Sequence, residues 1–263
     1  KKLKNLIKLK NFPLTGIYIK NKLKENFPYY FDQNLNICKN CGHLQLSKFL
    51  SPDLLYNNIY ANRTSESYLS DGAIRFFKKF LFKNLKSKNR NGFLEIGCND
   101  VKLIENLKKD FNYLYGIDPI WKNKKAPNFK NIKVFGEFVE KINLNKIKQE
   151  INVVVSTHNL EHLEDPFKIL GKFTKKFNEN TVFFIEVPDA DLMIKNHRFD
   201  QIFHQHYHYF NLNSLKNLVR RLDCKIISAD INYNFWGGSL MVAFKKDINK
   251  KKLIKSNYKK IDS

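Results

Sequence analysis

Residues 200–210 read D-Q-I-F-H-Q-H-Y-H-Y-F and set His204, His206 and His208 at alternate positions among aromatics. Three chemistries suit such a string. The imidazoles could hold a zinc or iron ion, one could act as a base with the others in support, or they could rim an aromatic strand. Histidine suits base work because its ordinary pKa is about 6.5. On a strand the three would share a face. Neighbours on that face lie about 7 Å apart, which disfavours convergence on one ion. A second set, H-N-L-E-H at 158–162, spaces His158 and His162 by four with Glu161 beside them. It lacks the H-E-x-x-H order of a zinc protease. A third, C-K-N-C, offers Cys38 and Cys41 from a single turn. Two thiolates so spaced can bind one zinc ion if a second pair lies upstream or if His43 and another residue complete the site, and a plain hairpin with two thiols is the alternative.

These groups need elements to position them. From residue 92 the pattern alternates. Apolar runs 93–96, 113–118, 132–135, 152–157 and 181–187 read as strands, and 101–109, 137–149 and 165–177 as helices. Residues 213–222 read as a further helix, and 224–231 and 239–245 as a closing pair of strands that can meet antiparallel at an edge. Strands alternating with helices imply a mainly parallel sheet covered on both faces, a Rossmann-like α/β fold. Ahead of it, residues 66–86 carry apolar positions at helical spacing. Residues 1–60 read as irregular, punctuated by Pro13, Pro28 and Pro52, with a strand–turn–strand at 36–46.

Composition sets outer bounds. The chain has 263 residues, 43% hydrophobic content and a net charge of +22. That charge attracts polyanions. Lys and Asn recur throughout with Ile and Phe rather than clustering on one element, so charge alone does not make a nucleic-acid surface. No apolar run is long enough to cross a bilayer, and the expected location is cytoplasmic. Cys98 and Cys224 sit in apolar surroundings and read as buried thiols. Nothing in the pattern bears on oligomeric state.

In open α/β sheets a ligand sits beyond the carboxyl ends of the strands, near the point where strand order reverses. Three such ends carry polar signals. E-I-G-C-N-D at 95–100 lets the backbone pass close to a ligand at Gly97, flanked by Glu95 and Asn99, yet is not the G-x-G-x-x-G of a diphosphate cradle. G-I-D-P at 116–119 puts Asp118 about 20 residues after the glycine turn, the place of a ribose-diol acceptor; a helix N-cap is the other reading of Asp118. S-T-H-N-L-E-H-L-E-D-P at 156–166 is the third. Together they favour a nucleoside-type cofactor.

With C-K-N-C-G-H-L-Q-L, Y-A-N-R-T-S, I-E-V-P and G-G-S-L added in that order, the chain resembles the sugar C-methyltransferases over about residues 30–245. These are class I enzymes that use S-adenosylmethionine (SAM), carry an N-terminal zinc-binding lobe and act on nucleotide-linked deoxysugars. The resemblance implies that Gly97 and its neighbours Glu95 and Asn99 line the methionine part of SAM, that Asp118 holds the ribose, and that Phe138 lies near the adenine. It further implies that Thr157 lines the cofactor and that Tyr60 and Ser65 belong to a segment folding over it. Cys38 and Cys41 would be the second thiol pair of a structural zinc site, the first pair preceding residue 1. The resemblance also implies a C-terminal domain after the G-G-S-L strand, expected to be absent or removed here. The organisation implied is a partial zinc-binding lobe at 1–60, a linker helix at 61–90, a methyltransferase domain at 91–247 and a basic tail at 248–263.

The chemistry implied is C-methylation. A carbon beside a ketone becomes nucleophilic once a base removes its proton, and the enolate then attacks the sulfonium methyl in line. By the resemblance His206 is the base, His204 supports it, and His158 and His162 orient the sugar. Several positions depart from the family: Phe203 replaces a Tyr, Gln205 a Glu, Val101 a Gly, Trp236 a His and Met241 an Arg. Phe203 removes a hydroxyl, Gln205 a charge, and Val101 adds bulk at the cofactor turn. A module that binds SAM or a nucleotide sugar without turnover is therefore the second reading, and a nucleic-acid methyltransferase, suggested by charge alone, the third.

Overall fold

The computed structural model describes residues 3–15, 29–51, 55, 64–67, 69–86, 89–124 and 130–249. The larger of its two sheets holds seven strands: β4 (Gly92–Ile96), β5 (Tyr113–Ile117), β6 (Ile132–Phe135), β7 (Val153–Thr157), β8 (Val182–Pro188), β10 (Cys224–Asn232) and β11 (Ser239–Lys246). Their spatial order is β10-β11-β8-β7-β4-β5-β6. The chain runs outward from β4 through β5 to β6, then returns to lay β7 against the other side of β4. Strand order therefore reverses between β4 and β7, which opens a crevice at their carboxyl ends. β8 extends the parallel part, and the antiparallel pair β11 and β10 closes the edge, as the short Gly-containing link between them predicts.

Four helices frame this sheet: α1 (Ser70–Lys83), α2 (Lys102–Leu107), α3 (Pro166–Lys176) and α5 (Leu212–Arg221). α1 brings Phe77 and Phe80 edge-on to Phe184 of β8 in one apolar layer. α3 and α5 bury Phe173, Leu215 and Val219 in the layer on the opposite face with Phe183 and Phe244. Both faces are covered, which is why the central strands read as unbroken apolar runs. α3 starts sharply because the Asp165 carboxylate accepts the Lys168 N–H at 2.8 Å and Pro166 is pre-set for the first turn. Asp165→Ala should lower stability by about 1 kcal/mol, read from the shift in a urea midpoint, with no change in fold.

In the amino-terminal region the strand–turn–strand at 36–46 is present, but the rest is not the irregular chain expected. β1 (Leu3–Pro13), β2 (Tyr30–Cys38), β3 (Leu44–Leu46) and β9 (His208–Tyr209) form a second, antiparallel sheet. β1 is exposed along most of its length and is a strand through its ladder to β2 rather than through burial. The helix expected over 137–149 is also absent. Asn143 caps a short 3-10 turn at Leu144–Lys146 instead. A helix the pattern did not announce, α4 (Ala190–Lys195), follows β8, with Asp189 accepting the Leu192 N–H.

Candidate functional site

The turn after β4 is built for close approach. Gly97 has φ +73°, and a Cβ there would lie 2.4 Å from the Cγ and Oδ1 of Asn159. Only glycine fits this combination of dihedral and space. The Asn99 N–H donates to Asp118 Oδ2 at 2.8 Å, and the Ile120 N–H donates to Oδ1 at 3.0 Å. Asp118 therefore caps the 3-10 turn Pro119–Trp121 and ties it to the Gly97 loop, so the N-cap reading holds alongside any contact with a ribose. The Trp121 indole donates to the Asn99 carbonyl at 2.6 Å. Val101 takes the left-handed conformation at φ 62°, with its side chain fully buried in the layer beneath α1. The bulk expected at the turn is thus packed into the core.

Beneath the turn, Glu95 is buried and accepts the Thr157 hydroxyl on Oε1 at 3.3 Å, while Oε2 has no hydrogen-bond partner. Burial pushes its carboxyl up to about 8, with Asp118 and Asp100 adding to the rise and the Thr157 hydrogen bond opposing it. The folded chain thus holds a proton that the unfolded chain, at about 4.5, gives up. This contribution to stability is fully present below the unfolded value and is lost as pH rises towards the folded one. Glu95→Gln should therefore gain on wild type between pH 5 and 8, with a limiting slope of about 1.4 kcal/mol per pH unit. Thermal melts of both proteins at the two pH values check this. Ser65 lies beside the same loop, its N–H donating to Asp100 Oδ2 at 2.7 Å. Phe138 is half-buried beyond β6, under the Lys141 ammonium. Tyr60 lies outside the described residues.

The 158–162 segment follows β7 and faces the crevice mouth. His158 Nδ1 lies 3.6 Å from Glu161 Oε1, its Nε2 lies 3.6 Å from Glu186 Oε1, and the Ser239 hydroxyl is 3.1 Å from Nε2. Burial opposes a charge on His158, but the two carboxylates outweigh it and push the imidazole up to about 10. Burial likewise opposes ionisation of Glu161, yet the surrounding histidines, His158 foremost, hold it down to about 2. Both are therefore ionised at neutral pH.

His162 and His206 meet ring to ring at 4.9 Å in an edge-on arrangement. His162 Nδ1 is 2.8 Å from the Gln205 carbonyl, and His206 Nδ1 is 3.1 Å from the Gln201 carbonyl. A carbonyl only accepts, so each ring carries a proton on Nδ1, with Nε2 the lone-pair nitrogen of His206. Burial, with repulsion from His162 next, depresses His206 to about 3 against the pull of Glu161, so it is neutral. Gln205 cannot act as a carboxylate, but Glu161 brings one to the same cluster, its ligand atom within 4.8 Å of those of His162 and His206.

The three alternate histidines do not share a face. Only His208 lies on a strand; His204 and His206 sit in the turn before it. His204 packs between Phe12 and Phe31, at 4.9 and 5.7 Å, away from His158, His162 and His206. His208 Nδ1 pairs with His43 Nε2 at 3.0 Å. That pair lines a cavity of about 360 Å³ together with Cys38 and Cys41. The turn holding the thiols is tight, with the Gly42 N–H donating to the Cys38 carbonyl. Among the described residues no third Cys, His, Asp or Glu ligand atom joins the two sulfurs, so they supply at most half of a tetrahedral zinc set.

The spacing of single elements placed Glu161 beside His158 and His162 but did not reveal that Glu186, Ser239 and Gln201 belong here. Glu186 ends the buried run of β8 and Ser239 follows the two glycines before β11, but only the strand order β11-β8-β7 brings them to His158.

A match to the model of a family described as methyltransferase domain covers residues 65–229, more than half of the sequence. The chain belongs to the methyltransferase-domain family. This methyltransferase domain is 22% identical over 236 residues to the C-methyltransferase NovU of Streptomyces niveus. That similarity covers 88% of the chain and 55% of NovU, so the chain spans about half the length of that relative. Among solved structures it resembles a SAM-dependent methyltransferase of Leishmania major, with a TM-score of 0.55, 13% identity and coverage of 74% and 77% of the two chains. It also resembles the N-methyltransferase NodS of Bradyrhizobium japonicum in complex with S-adenosylhomocysteine, with a TM-score of 0.50, 12% identity and coverage of 69% and 89%. These likenesses establish a Rossmann-like class I methyltransferase fold. Among the described residues no helix is long and apolar enough to cross a membrane.

Proposed function

We propose that this methyltransferase domain is SAM-dependent and moves the methyl group to a carbon beside the ketone of a nucleotide-linked deoxysugar. The observation that carries the reading is a buried imidazole, His206, held by the Gln201 carbonyl on Nδ1 and clustered with the Glu161 carboxylate and His162. The likeness to the C-methyltransferase NovU supports the carbon target.

Gly97, Asn99 and Asp118 would hold SAM, with Glu95, Thr157, Ser65, Phe138 and Tyr60 around it. The Gly97 cradle and the unpartnered Glu95 Oε2 fit such a guest. SAM, when bound, supplies an electrophilic methyl on a sulfonium. The Nε2 of His206 takes the proton from the carbon, and the Glu161 carboxylate stabilises the imidazolium that forms. His158, held protonated between Glu161 and Glu186, donates towards the oxygen on which negative charge gathers. His162 orients the sugar. The net charge of +22 favours an anionic nucleotide diphosphate.

Phe203 favours a second reading, a module that binds without turnover. Its ring packs 4.0 Å from that of His206, where the family has a hydroxyl. The two readings separate in deuterated water. With S-adenosylhomocysteine present, nucleotide-linked keto-deoxysugars should exchange the hydrogen beside the ketone for deuterium. Binding without exchange favours the module.

A further inference from the structure

We infer that Glu161, His162 and His206 form a binding site for one divalent transition-metal ion, of which zinc is the type. Their three ligand atoms lie within 4.8 Å of one another. Glu161 is 1% exposed, and neither of its carboxylate oxygens has a hydrogen-bond partner. His158 balances its charge from 3.6 Å, beyond hydrogen-bond reach, so the carboxylate oxygens keep lone pairs that an ion bonded directly to them could use. Both imidazoles have Nδ1 against a backbone carbonyl, Gln205 for His162 and Gln201 for His206. That is the outer arrangement that fixes the tautomer of a metal-binding histidine and directs Nε2 at the ion.

Two imidazoles and one carboxylate on adjacent directions make a facial set with open positions, suited to Zn²⁺, Fe²⁺ or Co²⁺ rather than to Mg²⁺ or Ca²⁺. Metal–ligand bonds of about 2.0–2.2 Å would draw the three side chains together only slightly. The loop carrying His206 is already clamped to the turn carrying Glu161, because the Tyr207 N–H donates to the Glu161 carbonyl at 2.9 Å. The site is separate from the Cys38–Cys41 turn, whose cavity is lined by His43 and His208 instead.

Occupation has one consequence for turnover. An ion on Nε2 of His206 takes the lone pair that would accept the proton, so the cation inhibits rather than assists. This consequence rests on His206 being the base; the binding itself does not.

The test is Co²⁺ binding to the chelator-stripped full chain, without SAM or sugar. One equivalent should bind with the visible d–d bands of nitrogen and oxygen ligands, unaccompanied by a thiolate charge-transfer band. The spectrum should persist in a Cys38→Ser/Cys41→Ser variant. Glu161→Gln and His162→Gln, checked for native circular dichroism, should each weaken binding about 10–100-fold. Absence of Co²⁺ binding, a spectrum that vanishes with the cysteines, or wild-type affinity in both single variants would overturn the site. If the site fills and deuterium exchange continues unslowed, the inhibition is wrong while the site stands.

Discussion

Replacing His206 with alanine should lower methyl transfer by about 10²–10⁴-fold, the usual contribution of a positioned base. SAM affinity should stay within about threefold, because the loss falls on a group used only in the transition state. The reasoning is geometric. His206 stands on the loop before β9, held by the Gln201 carbonyl, whereas the proposed cofactor contacts lie after β4 and β5. Gln201 is itself fixed, its side-chain amide donating to the Trp236 carbonyl. Removing the imidazole therefore leaves the Gly97 turn untouched. Stopped-time assays with labelled SAM and calorimetry with S-adenosylhomocysteine measure the two effects separately. Unchanged turnover would remove His206 from the role of base.

The second large effect belongs to Gly97. A valine there must adopt a left-handed dihedral, which costs roughly 1–2 kcal/mol for a residue with a Cβ. Its Cβ would also lie 2.4 Å from the Asn159 amide and 2.8 Å from the Asn159 Cβ. Either the turn or the start of the 158–162 segment must move by about 1 Å, a displacement that can cost on the order of 10²-fold at a binding or reacting centre. Gly97→Val should therefore lose SAM binding by about that factor and lose turnover with it, while its circular dichroism stays native. Wild-type affinity in Gly97→Val would mean that the cofactor does not pass over this turn.

The parallel core was legible because its signals are local. β4 reads as an apolar run ending in a glycine turn, and α3 as a helix announced by Asp165–Pro166. In the amino-terminal sheet the strand–turn–strand of β2 and β3 was legible, but β1 was not, since it shows little burial and owes its form to a partner 17 or more residues away. The stretch 137–149 has helical apolar spacing, but the Asn143 side chain takes the Asn145 N–H and a single 3-10 turn results. Alternation at 204–208 suggested one strand face. β9 keeps only two residues because its partner β3 is three residues long. His158 and His162 were visible as chemistry-bearing residues, but their carboxylates were not. Glu161 stood out only within the H-N-L-E-H spacing, and Glu186 only as part of the apolar run 181–187. Strand order brings Glu186 to His158, and the fold of the loop before β9 brings His206 to Glu161, and both are non-local information.

The account stands most directly on where the methyl group goes. SAM carrying a ¹³C methyl, incubated with the full chain and a nucleotide-linked keto-deoxysugar, should give a product whose label couples to a neighbouring ring carbon. Label attached to oxygen or nitrogen, in a sugar or in any other acceptor the chain methylates, would contradict it.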